Sequence, residues 1–230
     1  MKNKKNTPRK HYLFTDTSSV YSEAFQNLQV NLDFSFIDIK ERVVAITSSL
    51  PSEGKSTVAS NLAYIYAKKD FKVLLIDLDL RKSTIHRFFG LDNNAGVTDY
   101  CAGKVEKKDI ISKFENLDII TAGTNSPFPS KILESQVLAD LINEASKEYD
   151  YVFIDTPPVL AASDAMVISR FVSQYLVVVK HGQTKKNEFD ETVRVFTNNN
   201  LEISGVVLDN VSTKNKGYSG KYNYHYGYGK

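Results

Sequence analysis

Apolar residues along this chain fall into short unbroken runs, separated by stretches in which they recur every three or four positions. The runs Val43–Thr47, Val73–Asp77, Leu117–Thr121, Tyr151–Asp155, Leu176–Val179 and Val206–Leu208 are rich in β-branched and aliphatic residues and predict strands. Helical spacing marks segments at about 22–36, 56–69, 83–89, 130–147, 163–172 and 186–198. In the first of these, Phe25, Leu28, Leu32 and Phe36 share one face. Strands without a polar face, alternating with helices, predict a parallel sheet covered on both sides. In such sheets ligands bind beyond the carboxyl ends of the strands.

Three polar motifs stand at those ends. The first run leads into Ser49-Leu50-Pro51-Ser52-Glu53-Gly54-Lys55-Ser56-Thr57 and then a helix. Strand, Gly-Lys-Ser-Thr and helix form a phosphate-binding loop, or Walker A motif, in which backbone N–H groups and the helix N-terminus face phosphate oxygens. Ser52, Glu53, Gly54, Lys55, Ser56 and Thr57 are therefore expected to bind nucleotide. Lys55 supplies positive charge to the transferred phosphoryl group and Ser56 a hydroxyl to Mg²⁺. Ser49 stands where the usual pattern has its first glycine. The second run ends in Asp77-Leu78-Asp79, whose carboxylates would share a face if the strand continued. One could hold a magnesium-bound water while the other accepts a proton from a hydroxyl; the alternative is that they cap the next turn. The third motif, Tyr151-Val-Phe-Ile-Asp155-Thr-Pro-Pro158, delivers a single aspartate in the manner of Walker B. The expected fold is accordingly α/β, a P-loop NTPase-type parallel sheet flanked by helices on both faces, with ATP and Mg²⁺ as cofactors.

Charge divides the chain further. Residues 1–10 carry five basic side chains and residues 214–230 carry four, neither with an acid, so the intervening body holds 20 Lys and Arg against 27 Asp and Glu. The expected organisation is a flexible basic arm over 1–18, a P-loop domain over 19–213 and a flexible tail over 214–230. That tail concentrates Tyr218, Tyr222, Tyr224, Tyr226 and Tyr228 among glycines and lysines, with no aliphatic face to offset the entropy of ordering it. Either the phenols are substrates, or the tail is a docking strip for a partner or an anionic lipid surface. Cys101 is the only cysteine, which excludes an internal disulfide and suits a reducing cytosol. No apolar run approaches the ~18 residues that would span a bilayer. The histidines show no metal-ligand spacing, and no nucleic-acid motif accompanies the basic ends.

Together the segments Pro-Ser-Glu-Gly-Lys-Ser-Thr (51–57), Val-Leu-Leu-Ile-Asp-Leu-Asp-Leu-Arg-Lys (73–82), Phe-Gly-Leu-Asp-Asn-Asn-Ala-Gly-Val-Thr (89–98), Val-Phe-Ile-Asp-Thr-Pro-Pro (152–158) and Ser-Gly-Val-Val-Leu (204–208) resemble the bacterial tyrosine kinases that regulate capsule and exopolysaccharide synthesis, as does the terminal tyrosine cluster. The resemblance implies an ATP-dependent protein-tyrosine kinase that phosphorylates its own tail, the tail of one subunit entering a neighbour's site in a ring. It implies that Asp77 helps coordinate magnesium alongside Ser56 and Asp155, and that Asp79 is the base toward tyrosine. Lys55, Asp77 and Asp79 are then the catalytic set. It further implies a cytoplasmic protein, recruited to the inner membrane face by the intracellular tail of a membrane-embedded activator and opposed by a cognate tyrosine phosphatase. Three departures bear on this. Glu23 is followed by Gln26 and Gln29 where the family's assembly helix has arginines, so a ring should be weakened or absent. Asp209 stands before Asn210 where the family usually reads adenine with asparagine, which loosens ATP selectivity. Phe128 replaces an asparagine between Pro127 and Pro129. The other reading is a P-loop ATPase switch of the positioning or partition type, but such proteins carry a lysine five residues before the loop lysine, and here that residue is Leu50. A non-catalytic scaffold would leave Lys55 and the three aspartates unexplained.

Overall fold

The computed structural model describes residues 20–211 except 38, 41, 162 and 163. The basic arm over 1–18 and the whole tail over 214–230, with all five of its tyrosines, lie outside the described residues. Ten α-helical and strand boundaries expected from the apolar pattern recur within a few residues, as α1 (Val20–Ser35), β1 (Val43–Ser48), α2 (Lys55–Ala67), β2 (Val73–Asp77), α3 (Ile85–Phe89), β4 (Leu117–Ile120), β5 (Tyr151–Asp155), β6 (Gln174–Lys180), α9 (Lys186–Asn198) and β7 (Gly205–Asp209). Between them come elements that the pattern did not mark: α4 (Val97–Cys101), α5 (Lys107–Ile110) and β3 (Ile111–Phe114). The helix expected over 130–147 is two, α6 (Pro129–Leu133) and α7 (Gln136–Glu148). They part at Ser135, whose hydroxyl accepts the Leu138 N–H at 3.2 Å and caps the second helix. The segment expected helical over 163–172 is α8 (Asp164–Val167) running into a 3₁₀ turn over Ile168–Phe171.

The seven strands form one sheet in the order β3-β4-β2-β5-β1-β6-β7, parallel throughout except for β3 against β4. Alternate side chains of each central strand feed opposite layers. Val44, Ile46, Leu75 and Phe153 pack under α1, α2 and α3. Val43, Ala45, Leu74, Ile76, Val152 and Ile154 pack with residues from α4 to α9. Helices thus cover both faces, as expected. Helix α1 is tied to α2 by Leu32, Phe36 and a 2.6 Å hydrogen bond from the Tyr66 hydroxyl to Asp33, and burial together with that bond holds the Tyr66 phenol well above its ordinary range. The same packing turns Gln29 fully inward and leaves Glu23 and Gln26 on the outer face. Of the two glutamines expected at an assembly surface, only Gln26 is presented there.

Candidate functional site

The strand order places β2, β5 and β1 side by side, so all three polar motifs end at one place on the carboxyl edge. Asp77 and Asp155 are register partners across β2 and β5, and Asp155 pairs with Ile46 across β5 and β1. The loop from β1 rises over them and turns into α2 through Ser52 (φ 69°) and Gly54 (φ 100°). Glycine is required at the second of these. A Cβ on Gly54 would stand 2.4 Å from Asp209 Oδ2, besides straining a left-handed backbone.

At the first position of α2, Lys55 is 6% exposed, and its ammonium lies 2.7 Å from Asp79 Oδ2, 3.3 Å from Asp155 Oδ1 and 3.3 Å from Ser56 Oγ. Burial pushes this lysine down, but Asp155 and Asp79 pull harder and hold it above its ordinary value. The two members of the Asp77-Leu78-Asp79 motif do different work. The strand ends at Asp77, so the shared-face expectation does not extend to Asp79. Asp77 turns back to accept N–H groups from Asp79 (3.1 Å), Thr84 (3.1 Å) and Ile85 (3.2 Å), tying the loop and the start of α3 to the strand end. Asp79 instead reaches Lys55, and its other oxygen accepts the Lys82 N–H at 3.1 Å. Burial, followed by the neighbouring Asp155 charge, raises the Asp77 carboxyl to about 8; burial likewise raises Asp155.

Three buried carboxylates around one ammonium leave the cluster short of positive charge. The fit to magnesium rests on that shortage and on one atom. Asp155 Oδ2 is buried and, among the described residues, has no hydrogen-bond partner. It lies with a hydroxyl and a second carboxylate, Ser56 and Asp77. These are hard oxygen donors of the kind Mg²⁺ takes one or two at a time beside phosphate oxygens and water.

The loop is held from behind by Glu53, expected to face nucleotide, and by Lys180, Thr184 and Thr192, which the sequence reading passed over. Glu53 points away from the pocket into the protein, fully buried, accepting the Leu50 N–H at 2.9 Å and the Thr184 hydroxyl. Thr184 in turn accepts the Lys180 N–H at 2.9 Å, and the Lys180 ammonium donates to the Ser52 carbonyl at 3.1 Å. Ser49 Oγ lies 2.8 Å from Thr192 Oγ1, which lies 3.0 Å from the Glu188 carbonyl. With one proton each, the chain is satisfied when Ser49 donates to Thr192 and Thr192 to Glu188. The only sequence signal for any of this is the serine where a glycine is usual. Thr57 lies half-exposed on the first turn of α2. Asp209, ladder partner of Lys180, abuts Gly54, whereas Asn210 is exposed at the rim with φ 61°. Of the expected nucleotide residues, Ser52, Gly54, Lys55, Ser56, Thr57 and Asp209 therefore converge, the Glu53 side chain faces the interior behind the loop, and Asn210 stands at the edge.

Comparison with known proteins agrees with this geometry. Residues 41–203 match the family model described as an AAA domain. The chain is 34% identical over 230 residues to the "Putative tyrosine-protein kinase CapB" of Staphylococcus aureus, covering 99% of each. It is 36% identical over 191 residues to the "Tyrosine-protein kinase etk" of Escherichia coli, spanning 82% of this chain but 26% of that longer protein. The solved kinase domain of that enzyme superposes with a TM-score of 0.84 at 33% identity, covering 93% of this chain and 85% of the domain. More distantly, the septum site-determining protein MinD of Pyrococcus horikoshii, solved with Mg-ADP, superposes at 0.60 with 25% identity over 73% of this chain and 69% of that one.

Proposed function

The chain belongs to the bacterial tyrosine-protein kinases, and from that premise we propose how it transfers phosphate and to what. It is an ATP-dependent tyrosine kinase of the kind associated with capsule and exopolysaccharide synthesis. The nucleotide lies along the loop 49–57, its phosphates facing the backbone N–H groups there and its base toward Asp209 and Asn210. Ser56, Asp77 and Asp155 would hold Mg²⁺, whose charge, when bound, would offset that of the phosphate oxygens. Binding of the triphosphate draws the Lys55 ammonium off Asp79 toward the terminal phosphoryl group. The freed Asp79 carboxylate then accepts the proton of the incoming phenol as the Tyr–O–P bond forms and the bond to ADP breaks. What carries this reading is the 2.7 Å Lys55–Asp79 pair beside Asp155, because it stores base and electrophilic charge against each other until nucleotide separates them.

The phenols are those of the chain's own tail, Tyr218, Tyr222, Tyr224, Tyr226 and Tyr228. Support comes from charge: an acid-free tail with four lysines meets an acidic body at a site built from carboxylates. The tail is delivered between subunits, in an assembly that relies little on the α1 glutamines. No helix among the described residues is long and apolar enough to cross a membrane. The working location in this reading is the cytoplasm, with recruitment to the inner membrane face by the intracellular tail of a membrane-embedded activator and reversal by a phosphatase.

The test is phosphotyrosine on the full chain after incubation with Mg-ATP, with Lys55→Met and a chain lacking residues 214–230 as partners. Both variants should lose signal, and tail-bearing Lys55→Met should regain it when mixed with the tail-less chain. Persistent labelling of Lys55→Met alone, or of the tail-less chain alone, would overturn the assignment.

A further inference from the structure

Beside the carboxylate cluster the same edge of the sheet carries a second concavity. It is a cavity of ≈ 290 Å³ between α4, α6 and the loop after β4, lined by Thr98, Lys104, Thr124, Ser126, Phe128 and Lys131 among others. The loop after β2, which carries Asp79, reaches it through a 3.2 Å hydrogen bond from Arg81 to Ser130 on α6. The phosphate chemistry described above uses none of these lining residues.

Their chemistry points to one ligand class. Phe128 is 61% exposed at the mouth, an aromatic ring left in water where the family pattern has an asparagine. The Lys131 ammonium lies 5.1 Å from the centre of that ring and forms no ion pair among the described residues. Lys104, its side chain 66% exposed, stands 3.8 Å from Asp99, a long pair at the cavity rim. The Asp99 carboxylate is already occupied by the Thr124 N–H at 2.9 Å and by the Thr124 and Thr98 hydroxyls, which bury and satisfy its charge behind the cavity wall. Ser126 Oγ accepts the Phe128 N–H at 3.1 Å, and among the described residues its own proton has no acceptor. An exposed ring, two exposed ammonium groups and an unspent hydroxyl donor fit an aromatic ring bearing an anion.

We propose that this cavity binds a phosphotyrosine of the tail, the ring against Phe128 and the phosphate between Lys131, Lys104 and the Ser126 hydroxyl. The proposal rests on the reading that the chain makes phosphotyrosine. A phosphate formed at the carboxylate cluster is repelled there and attracted next door, one strand away. Retention in the neighbouring cavity keeps a partly modified tail in reach, so further tyrosines of that tail react before a fresh tail is taken up.

The probe is phenyl phosphate, titrated by ligand-observed NMR into the full-length Lys55→Met chain with saturating ADP, so that neither turnover nor the phosphate loop contributes. Binding should weaken about tenfold on Lys131→Ala, as for loss of one charge-assisted hydrogen bond. Phe128→Ala should remove the preference for phenyl phosphate over inorganic phosphate. In the otherwise wild-type chain given Mg-ATP, mass spectrometry should show Lys131→Ala accumulating singly phosphorylated tails at an unchanged rate of first modification. Equal affinity for phenyl phosphate and inorganic phosphate, or affinity unmoved by both substitutions, would overturn the proposal. Loss of all phosphotyrosine in the wild-type chain would instead overturn the kinase reading and leave the binding result standing.

Discussion

Replacing Asp79 by asparagine separates a catalytic role for that carboxylate from a structural one. The Lys55–Asp79 contact is short and both side chains are nearly buried, at 8% and 5% exposure, so removing one partner would ordinarily cost about 3–5 kcal/mol. Here the lysine is not stranded. It keeps Asp155 at 3.3 Å, and two carboxylates still face one ammonium after the change. The asparagine oxygen can also continue to accept the Lys82 N–H now received at 3.1 Å. Lost attraction is offset by relief of repulsion from Asp77 and Asp155, and the net effect on stability should stay within about 1 kcal/mol, or roughly 2–4 °C in Tm for a chain of this size. The rate of tyrosine phosphorylation should fall by about 10²–10⁴, the usual worth of a positioned base. Thermal melts of the nucleotide-free chain and initial rates of phosphotyrosine formation measure the two quantities side by side. A melt lowered by more than about 10 °C would make Asp79 a structural group, and an undiminished rate would mean that another acceptor takes the proton.

Lys55→Met should behave oppositely in the melt. It leaves three buried carboxylates without an ammonium and should destabilise by about 3–5 kcal/mol at neutral pH, with recovery on acidification. The sign follows from the charge removed: burial raises the Asp77 and Asp155 carboxyls and Lys55 lowers them, so without the lysine both hold their protons to higher pH and the variant's deficit grows as pH rises. A pH-independent difference between variant and wild type would contradict it. Thr184→Val should raise the dissociation constant for ADP by about tenfold in calorimetry by leaving the buried Glu53 carboxylate one donor short, and Thr184→Ser should restore it. Asp99→Asn should destabilise the chain, with the deficit shrinking as pH falls. Burial alone would raise that carboxyl, but the Thr124 and Thr98 donors outweigh it and hold the group below 3.8, so its contribution is whole above that value and is lost on acidification through the folded-state value. Denaturant titrations at pH 7 and pH 3 would show whether the deficit narrows.

The central strands were legible because each is a near-continuous apolar run buried on both faces. Strand β3 was not. Its four residues include Ser112 and the exposed Lys113, and it lies antiparallel at the sheet edge, where one face meets water. The break at Ser135 was hidden because apolar spacing runs through it; only the capping hydroxyl marks the new start. At the site, the residues expected to face phosphate sit in one contiguous loop whose chemistry demands glycine, lysine and hydroxyl at fixed spacing, so their convergence could be read in advance. Thr184, in the turn after β6, and Thr192, on α9, come from distant positions and present ordinary hydroxyls to that loop, a role that only tertiary packing sets.

The aspartates show how far spacing can mislead even where identity is right. Two positions apart suggests one face of a strand, and two carboxylates on one face suggests a matched pair. The ladder stops at Asp77, however, and past a strand end the backbone rather than the pleat sets direction. Asp77 is consumed by three N–H groups and becomes the rigid member, while Asp79, released from the sheet, can approach Lys55 and later leave it. On the proposed mechanism, a carboxylate fixed by the backbone would suit holding a cation, and one whose ionic partner among the described residues is Lys55 would suit accepting a proton once nucleotide draws that lysine away. The division of labour between the two thus follows from where β2 ends.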